Sequence, residues 1–157
     1  MGRVLRFKRR KQQSEDPDIA ILAGLGGVAV VIEDFDSVFE KAGLNRTTLQ
    51  LAVEQQLSEG GVPVLTLQQA EESDDAAYLV VAVGADSHPT GVVASMLNLQ
   101  LCEFALLPRG DELDGGVTTW RINGVWAVDK QNLAESMNDA IGDGLKRLVR
   151  DYRRANA

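Results

Sequence analysis

The sequence predicts an α+β fold, a mixed five-stranded sheet in the order β-α-β-(α)-β-β-β-α with helices packed on one face. A helical segment separates the first two apolar strands, which favours a parallel pair joined by a crossover connection. Three further strands follow one another through short loops, as in an antiparallel meander. A long amphipathic helix then ends the chain.

The first strand is predicted at VAVVIEDF (28–35), because its β-branched residues are apolar on both faces, as in a central strand. A short helix is predicted at SVFEKAG (37–43). Asn45 suits the N-cap of a second helix, and the Gly60-Gly61 pair suits its end. These segments supply the first strand and the crossover that follows it.

The next segments are shorter. VPVLT (62–66) has the composition of a strand, and Pro63 favours an edge position because proline cannot donate to a ladder. LQQAEES (67–73) predicts one or two helical turns. AYLVVAVGA (77–85) predicts a third strand that is apolar on both faces.

The fourth and fifth strands are predicted at 92–107 and 116–128. In the fourth strand, alternation of apolar and polar residues has a period of two, so one face is buried and the other is wet. Leucines should point into the core and the amides between them should not; the residues are Leu97, Leu99 and Leu101 on one side, Asn98 and Gln100 on the other.

A final helix is predicted from Asp129 to about Tyr152, since apolar residues recur at spacings of three and four. Gly142 and Gly144 would weaken this helix, so we expect close packing against the sheet to compensate at both positions. The apolar stripe consists of Leu133, Met137, Ile141, Leu145, Leu148 and Tyr152.

The length of 157 residues fits one domain, because domains most often contain about 100–150 residues. Residues 1–18 read as a disordered basic tail, and residues 19–157 as the single α+β domain. The longest uncharged apolar run (19–32) falls short of the ~20 residues that a helical membrane span needs, so no membrane span is expected.

Charge is distributed unevenly along the chain. Residues 1–13 hold six basic side chains and no acidic one, and residues 146–154 hold five basic side chains against one aspartate. The stretch 14–145 carries five basic and 22 acidic residues, a net charge of −17. The basic ends suit an anionic partner, but the acidic body would repel phosphate, so nucleic acid is not expected as a partner.

No motif indicates a cofactor. Gly24, Gly26 and Ala29 form a near match to the dinucleotide fingerprint, yet they precede a strand, whereas that fingerprint opens a helix. Glu33, Asp34 and Asp36 follow the first strand, where open sheets often bind ligands. Their spacing matches no calcium loop, so we expect no metal and keep the three carboxylates as binding candidates.

Two further binding candidates lie in the fifth strand. Trp126 lies near the end of that strand and is interpreted as a surface anchor for a partner, and Arg121 lies between it and Trp120 in the sequence. Tryptophan and arginine are frequent hot-spot residues at interfaces. Trp120, by contrast, is expected in the core.

Several segments together resemble a group of small uncharacterised bacterial α+β proteins. They are GGVAVVIEDF, LSEGGVPVL, AYLVVAV, LNLQLCEFALL, the TTW strand and the last helix, covering about residues 26–152. These proteins are similar to the amino-terminal domain of TolB and to the core of curli-secretion-type outer-membrane proteins. The resemblance implies export and a role in binding partner proteins. It carries over no catalytic residue.

The sequence thus favours a non-enzymatic protein–protein interaction module, in a bacterial envelope or secretion-related assembly, with a protein partner or self-association. One alternative is a nucleic-acid-associated protein that uses the basic termini. Another is a small-molecule-binding protein or enzyme with a site near the end of the first strand. As it stands the sequence suggests the cytoplasm, and the periplasm if a signal sequence precedes it.

Overall fold

The computed structural model describes residues 16–105, 108–110 and 116–157. Residues 1–15 of the predicted tail lie outside the described residues, so their disorder stays a prediction. Helix α1 (Pro17–Ala20) spans the predicted domain boundary after residue 18, which stays a prediction. Asp16 caps this helix by accepting a hydrogen bond from the backbone N–H of Asp18 at 3.1 Å.

The other elements of the described chain form one mixed sheet with helices. They are β1 (Gly27–Ile32), α2 (Ser37–Lys41), α3 (Arg46–Glu59), β2 (Val64–Leu65), α4 (Leu67–Glu71), β3 (Ala76–Ser87), β4 (Val92–Glu103), β5 (Val117–Asp129), a 3-10 turn (Lys130–Asn132) and α5 (Leu133–Ala155).

The spatial order of the strands is β2-β1-β3-β4-β5. β1 pairs in parallel with both β2 and β3, and β3, β4 and β5 pair as an antiparallel meander. The α+β class, the parallel first pair and the meander are therefore confirmed.

Strand β2 is the outer strand on one side of the sheet, as Pro63 predicted, but it is only two residues long. Pro63 lies just before it and has no N–H, so it contributes only its carbonyl, which accepts a hydrogen bond from the N–H of Val28 at 2.8 Å. The fourth strand is also shorter than predicted. β4 ends at Glu103, which pairs with Val117, the first residue of β5.

One face of the sheet, here the covered face, packs against α3 and α5. Leu97, Leu99 and Leu101 are buried on it, whereas Asn98 and Gln100 point the other way and are half-buried, so the predicted strand register is confirmed. Most of the predicted stripe of α5 is also buried: Leu133, Met137, Ile141, Leu145 and Leu148, with Tyr152 half-buried.

The opposite face is covered only in part. Helix α4 packs there against β1 and β3, where Ala70 lies against Ala29 and Ala76 in a small apolar cluster. A capping box at Thr66 and Gln69 fixes the start of this five-residue helix. The part of this face formed by β4 and β5 lies beyond α4, and it is called the open face below.

Candidate interaction surface

The carboxylates predicted as a binding site lie at the end of β1 and face solvent. Glu33, Asp34 and Asp36 are all exposed. Asp34 pairs with Arg46, whose guanidinium also donates to the carbonyl of Ile32 at 2.8 Å. This ion pair ties the start of α3 to the end of β1, and at such exposure it contributes little stability.

Within the described residues, no three histidine, cysteine, aspartate or glutamate side chains converge on a position that could hold a metal ion. The same part of the chain contains no helix of the length and apolarity that a membrane crossing requires.

The two candidates in β5 lie on opposite faces of the sheet. Trp126 is half-buried and packs on the covered face, where its indole Nε1 donates to Ser136 Oγ of α5 at 2.8 Å. The indole is thus held between sheet and helix, and its role as an anchor for a partner stays a prediction. Arg121 is exposed on the open face, so the structure does not bring the two side chains together.

The open face has an apolar centre. Met96 of β4 lies directly opposite Val125 of β5 in the register, and their exposed fractions are 47% and 77%. The neighbouring pair is Ala94 and Ala127, and Val92 at the start of β4 is 37% exposed. Five apolar side chains thus form a contiguous surface that reaches solvent.

Polar side chains border this apolar centre on one side. Asn98 pairs with Asn123 and Gln100 pairs with Arg121 across the two strands. The amide Nδ2 of Asn98 donates to Gln100 Oε1 at 3.3 Å, while its Oδ1 is buried without a hydrogen-bond partner. A buried acceptor without a partner is uncommon in folded proteins.

A second surface feature is an arginine-lined cavity of about 570 Å³ between β5, α5 and the start of α1. Asp151 of α5 is 4% exposed and accepts from the indole Nε1 of Trp120 at 3.2 Å and from Arg150 at 3.0 Å. Arg147 and Arg154 line the same cavity and are exposed. One buried carboxylate therefore joins the predicted core tryptophan to the basic end of α5.

The sequence analysis did not identify two parts of this surface, although each has an unusual residue type for its position in a helix or strand. Asp151 lies three residues after Leu148, at a core-facing position of the final helix. Met96 and Val125 have outward parity in their strands, where polar residues are usual. The acid at an inward-facing helix position would have identified Asp151. The apolar residues at outward-facing strand positions would have identified Met96 and Val125.

Comparisons with known proteins yield a likeness of fold. No family model and no curated protein matches the sequence. A PelC dodecamer from Paraburkholderia phytofirmans is 16% identical, with a TM-score of 0.46; the match covers 77% of this chain and 86% of that one. A minor lipoprotein from Acinetobacter baumannii is 12% identical, with a TM-score of 0.39; here the shares are 83% and 92%.

Both TM-scores are below 0.5, so the expected similarity to small bacterial α+β proteins stays a prediction. The resemblance to the amino-terminal domain of TolB stays a prediction.

Proposed function

We propose that this protein is a non-enzymatic protein–protein interaction module and that it binds its partner through the open face of β4 and β5. The observation that carries the proposal is the exposed cross-strand pair of Met96 and Val125. Contiguous apolar surface of this kind commonly marks an interaction site when polar residues surround it.

The composition of the open face supports this proposal. Its centre contains Met96, Val125 and two alanines and no charged residue, whereas amides and Arg121 lie at its border. Methionine and arginine are enriched at protein interfaces, and charged residues are depleted from their centres. A flexible methionine also adapts its shape to a partner surface.

The enzyme alternative has less support. General acid–base catalysis needs groups held in a defined geometry near the substrate. The carboxylates that sequence analysis placed near the end of β1 are exposed, and Asp34 is already paired with Arg46. His88 lies in an exposed turn, where its ring nitrogen contacts Thr90 Oγ1 at 2.8 Å.

The resemblance seen in the sequence adds a location to the proposal, a bacterial envelope or secretion-related assembly. Fractionation of cells that express the chain in its native context tests this part separately. Recovery in the envelope fraction is expected, and recovery only in the cytosol would contradict the location without affecting the binding surface.

Site-specific photo-crosslinking tests the binding surface. A photoreactive amino acid at position 96 should yield a recurrent crosslinked protein species, because Met96 lies at the centre of the open face. The matched control is position 51, since Leu51 is 62% exposed on α3, away from the open face. Val92→Lys should abolish the species formed from position 96, and Leu51→Lys should leave it unchanged.

The result that would overturn the proposed surface is equal crosslinking from positions 96 and 51. Crosslinking from position 96 that persists in Val92→Lys would do the same. Circular dichroism of each variant confirms that the fold is retained.

A further inference from the structure

Strand β5 has an outer edge without a partner strand in the described structure. It is the last strand of the sheet and pairs with β4 on its inner side only. Within the described part of the chain, no backbone hydrogen bond from another element reaches its outer side. An exposed strand edge is a ready template for another chain.

The hydrogen-bond pattern identifies which residues face outward. The N–H of Lys130 donates to the carbonyl of Gly91 at 3.0 Å, and these residues continue the register of Asp129 with Val92. Because antiparallel ladders alternate, the even-numbered residues of this stretch bond to β4. The odd-numbered ones direct their N–H and C=O groups outward: Arg121, Asn123, Val125, Ala127 and Asp129.

This outer edge lacks the features that usually prevent pairing. The stretch from 121 to 129 contains no proline and no lysine. The one irregularity in the pairing with β4 lies earlier, between Leu101 and Cys102, where β5 has an extra residue at Thr119. The stretch is therefore regular, and its central residue, Val125, is the most exposed large apolar residue in the described structure, at 77%.

We propose that two copies of this chain pair through β5, antiparallel and about a two-fold axis at Val125, so that two five-stranded sheets join into one. The inference rests on the proposed function, since Val125 belongs to both the open face and the edge. Closed two-fold dimers bury the same surface on both chains, and β5 can pair with itself in this way.

Charge complementarity selects the register. With Val125 opposite Val125 of the second copy, Arg121 lies opposite Asp129 of the second copy, and the reverse pair forms by symmetry. Among the residues that the structure describes, neither Arg121 nor Asp129 has an ion pair or a side-chain hydrogen bond. A register shifted by two residues would place each charge opposite an uncharged side chain.

The same register is favourable on the covered face. Gly124 would lie opposite Trp126 of the second copy, and Ile122 opposite Val128 of the second copy. All four residues are half-buried in the single chain, so strand pairing would remove more of their surface from water.

Charge reversal in the full chain tests this register. Sedimentation velocity should show a dimer of the unchanged protein, and monomers for Arg121→Asp and for Asp129→Arg, since each change puts like charges opposite each other. The double variant should dimerise again. An equal mixture of the two single variants should form a heterodimer, because both of its charge pairs are restored.

Two further variants separate the edge from general effects of charge or folding. Lys146→Asp makes the same change of charge on the exposed side of α5 and should leave the dimer intact. Val125→Pro removes an outward N–H that the single chain does not use, so it should keep the fold and abolish the dimer.

Distinct results overturn the inference. A protein that is monomeric at its highest soluble concentration has no such dimer. A dimer that survives both single charge reversals and Val125→Pro uses another surface. Neither result affects the proposed function, which depends on crosslinking from Met96 in β4 and fails only if that crosslinking is absent or unspecific.

Discussion

Two glycines in the middle of α5 have different environments. A Cβ at Gly144 would overlap with the side chain of Leu99 in β4, so a side chain is excluded there by the approach of helix to sheet. A Cβ at Gly142 would meet only Gln56 Oε1 at 3.8 Å. The expectation that sheet packing explains both glycines is thus confirmed for Gly144 and wrong for Gly142, which faces α3.

This difference predicts opposite effects of the same substitution. Gly144→Ala should reduce the free energy of unfolding by about 1–3 kcal/mol through overpacking against Leu99. Gly142→Ala should raise it by roughly 0.5–1 kcal/mol, because alanine favours a helix interior. Urea unfolding measures both values. Equal stabilisation by the two changes would show that the structure has space for a side chain at position 144, contrary to the overlap with Leu99 described above.

The second prediction for a single residue concerns the buried carboxylate of Asp151. Asp151→Ala should lower the free energy of unfolding by about 1–3 kcal/mol, because the indole N–H of Trp120 loses its acceptor in a buried place. Asp143→Ala is the matched control: Asp143 lies on the same helix, pairs with Lys146 and is exposed. The free energy of unfolding of Asp143→Ala should fall by less than about 0.5 kcal/mol. Similar losses for both would contradict a structural role for Asp151.

The N-cap residues of α2 and α3, the two helices between β1 and β2, differ in whether their side chains cap the helix. The side chain of Asn45 accepts a hydrogen bond from the N–H of Thr48 at 3.0 Å, as the sequence predicted for α3. Asp36 occupies the equivalent position of α2 and makes no such bond. Only the first cap therefore satisfies an otherwise unpaired backbone donor.

We accordingly expect Asn45→Ala to cost about 1 kcal/mol of stability. Asp36→Ala should cost roughly 0.3 kcal/mol or less, from the loss of a charge near the helix dipole. Thermal unfolding followed by circular dichroism compares the two variants. A larger loss for Asp36→Ala would mean that α2 depends on its first residue more than its hydrogen bonds indicate.

At the scale of the whole molecule, the charges argue against nucleic-acid binding. Arg147, Arg150 and Arg154 are exposed, and they lie near the C-terminal end of α5, where cations offset the helix dipole. Arg150 is also paired with Asp151. The net charge of −17 over residues 14–145 would repel phosphate from most of the remaining surface.

We therefore expect no binding to duplex or single-stranded oligonucleotides at about 0.15 M salt, where the Debye length is about 8 Å. Fluorescence polarisation with a labelled oligonucleotide measures this. A micromolar, salt-sensitive complex that is lost when those three arginines are replaced by glutamine would favour the nucleic-acid alternative instead.

The sequence alone determined most of the elements of this protein. Local periodicity was sufficient for these elements. In an alternation such as Leu97, Asn98, Leu99, only one face of the strand is apolar and can be buried in the core, and the apolar stripe of α5 likewise lies on one side of the helix. The cap at Asn45 and the edge position of β2 also follow from single residue types. Such features depend on neighbours within a few positions.

The tertiary structure alone decided which surfaces remain open. Trp120 and Asp151 are 31 residues apart in the chain, and Met96 meets Val125 only through the register of β4 with β5. The sequence likewise could not show that Ser136 of α5 lies against Trp126. Contacts between distant residues depend on strand order and helix packing, and local periodicity contains no information about either.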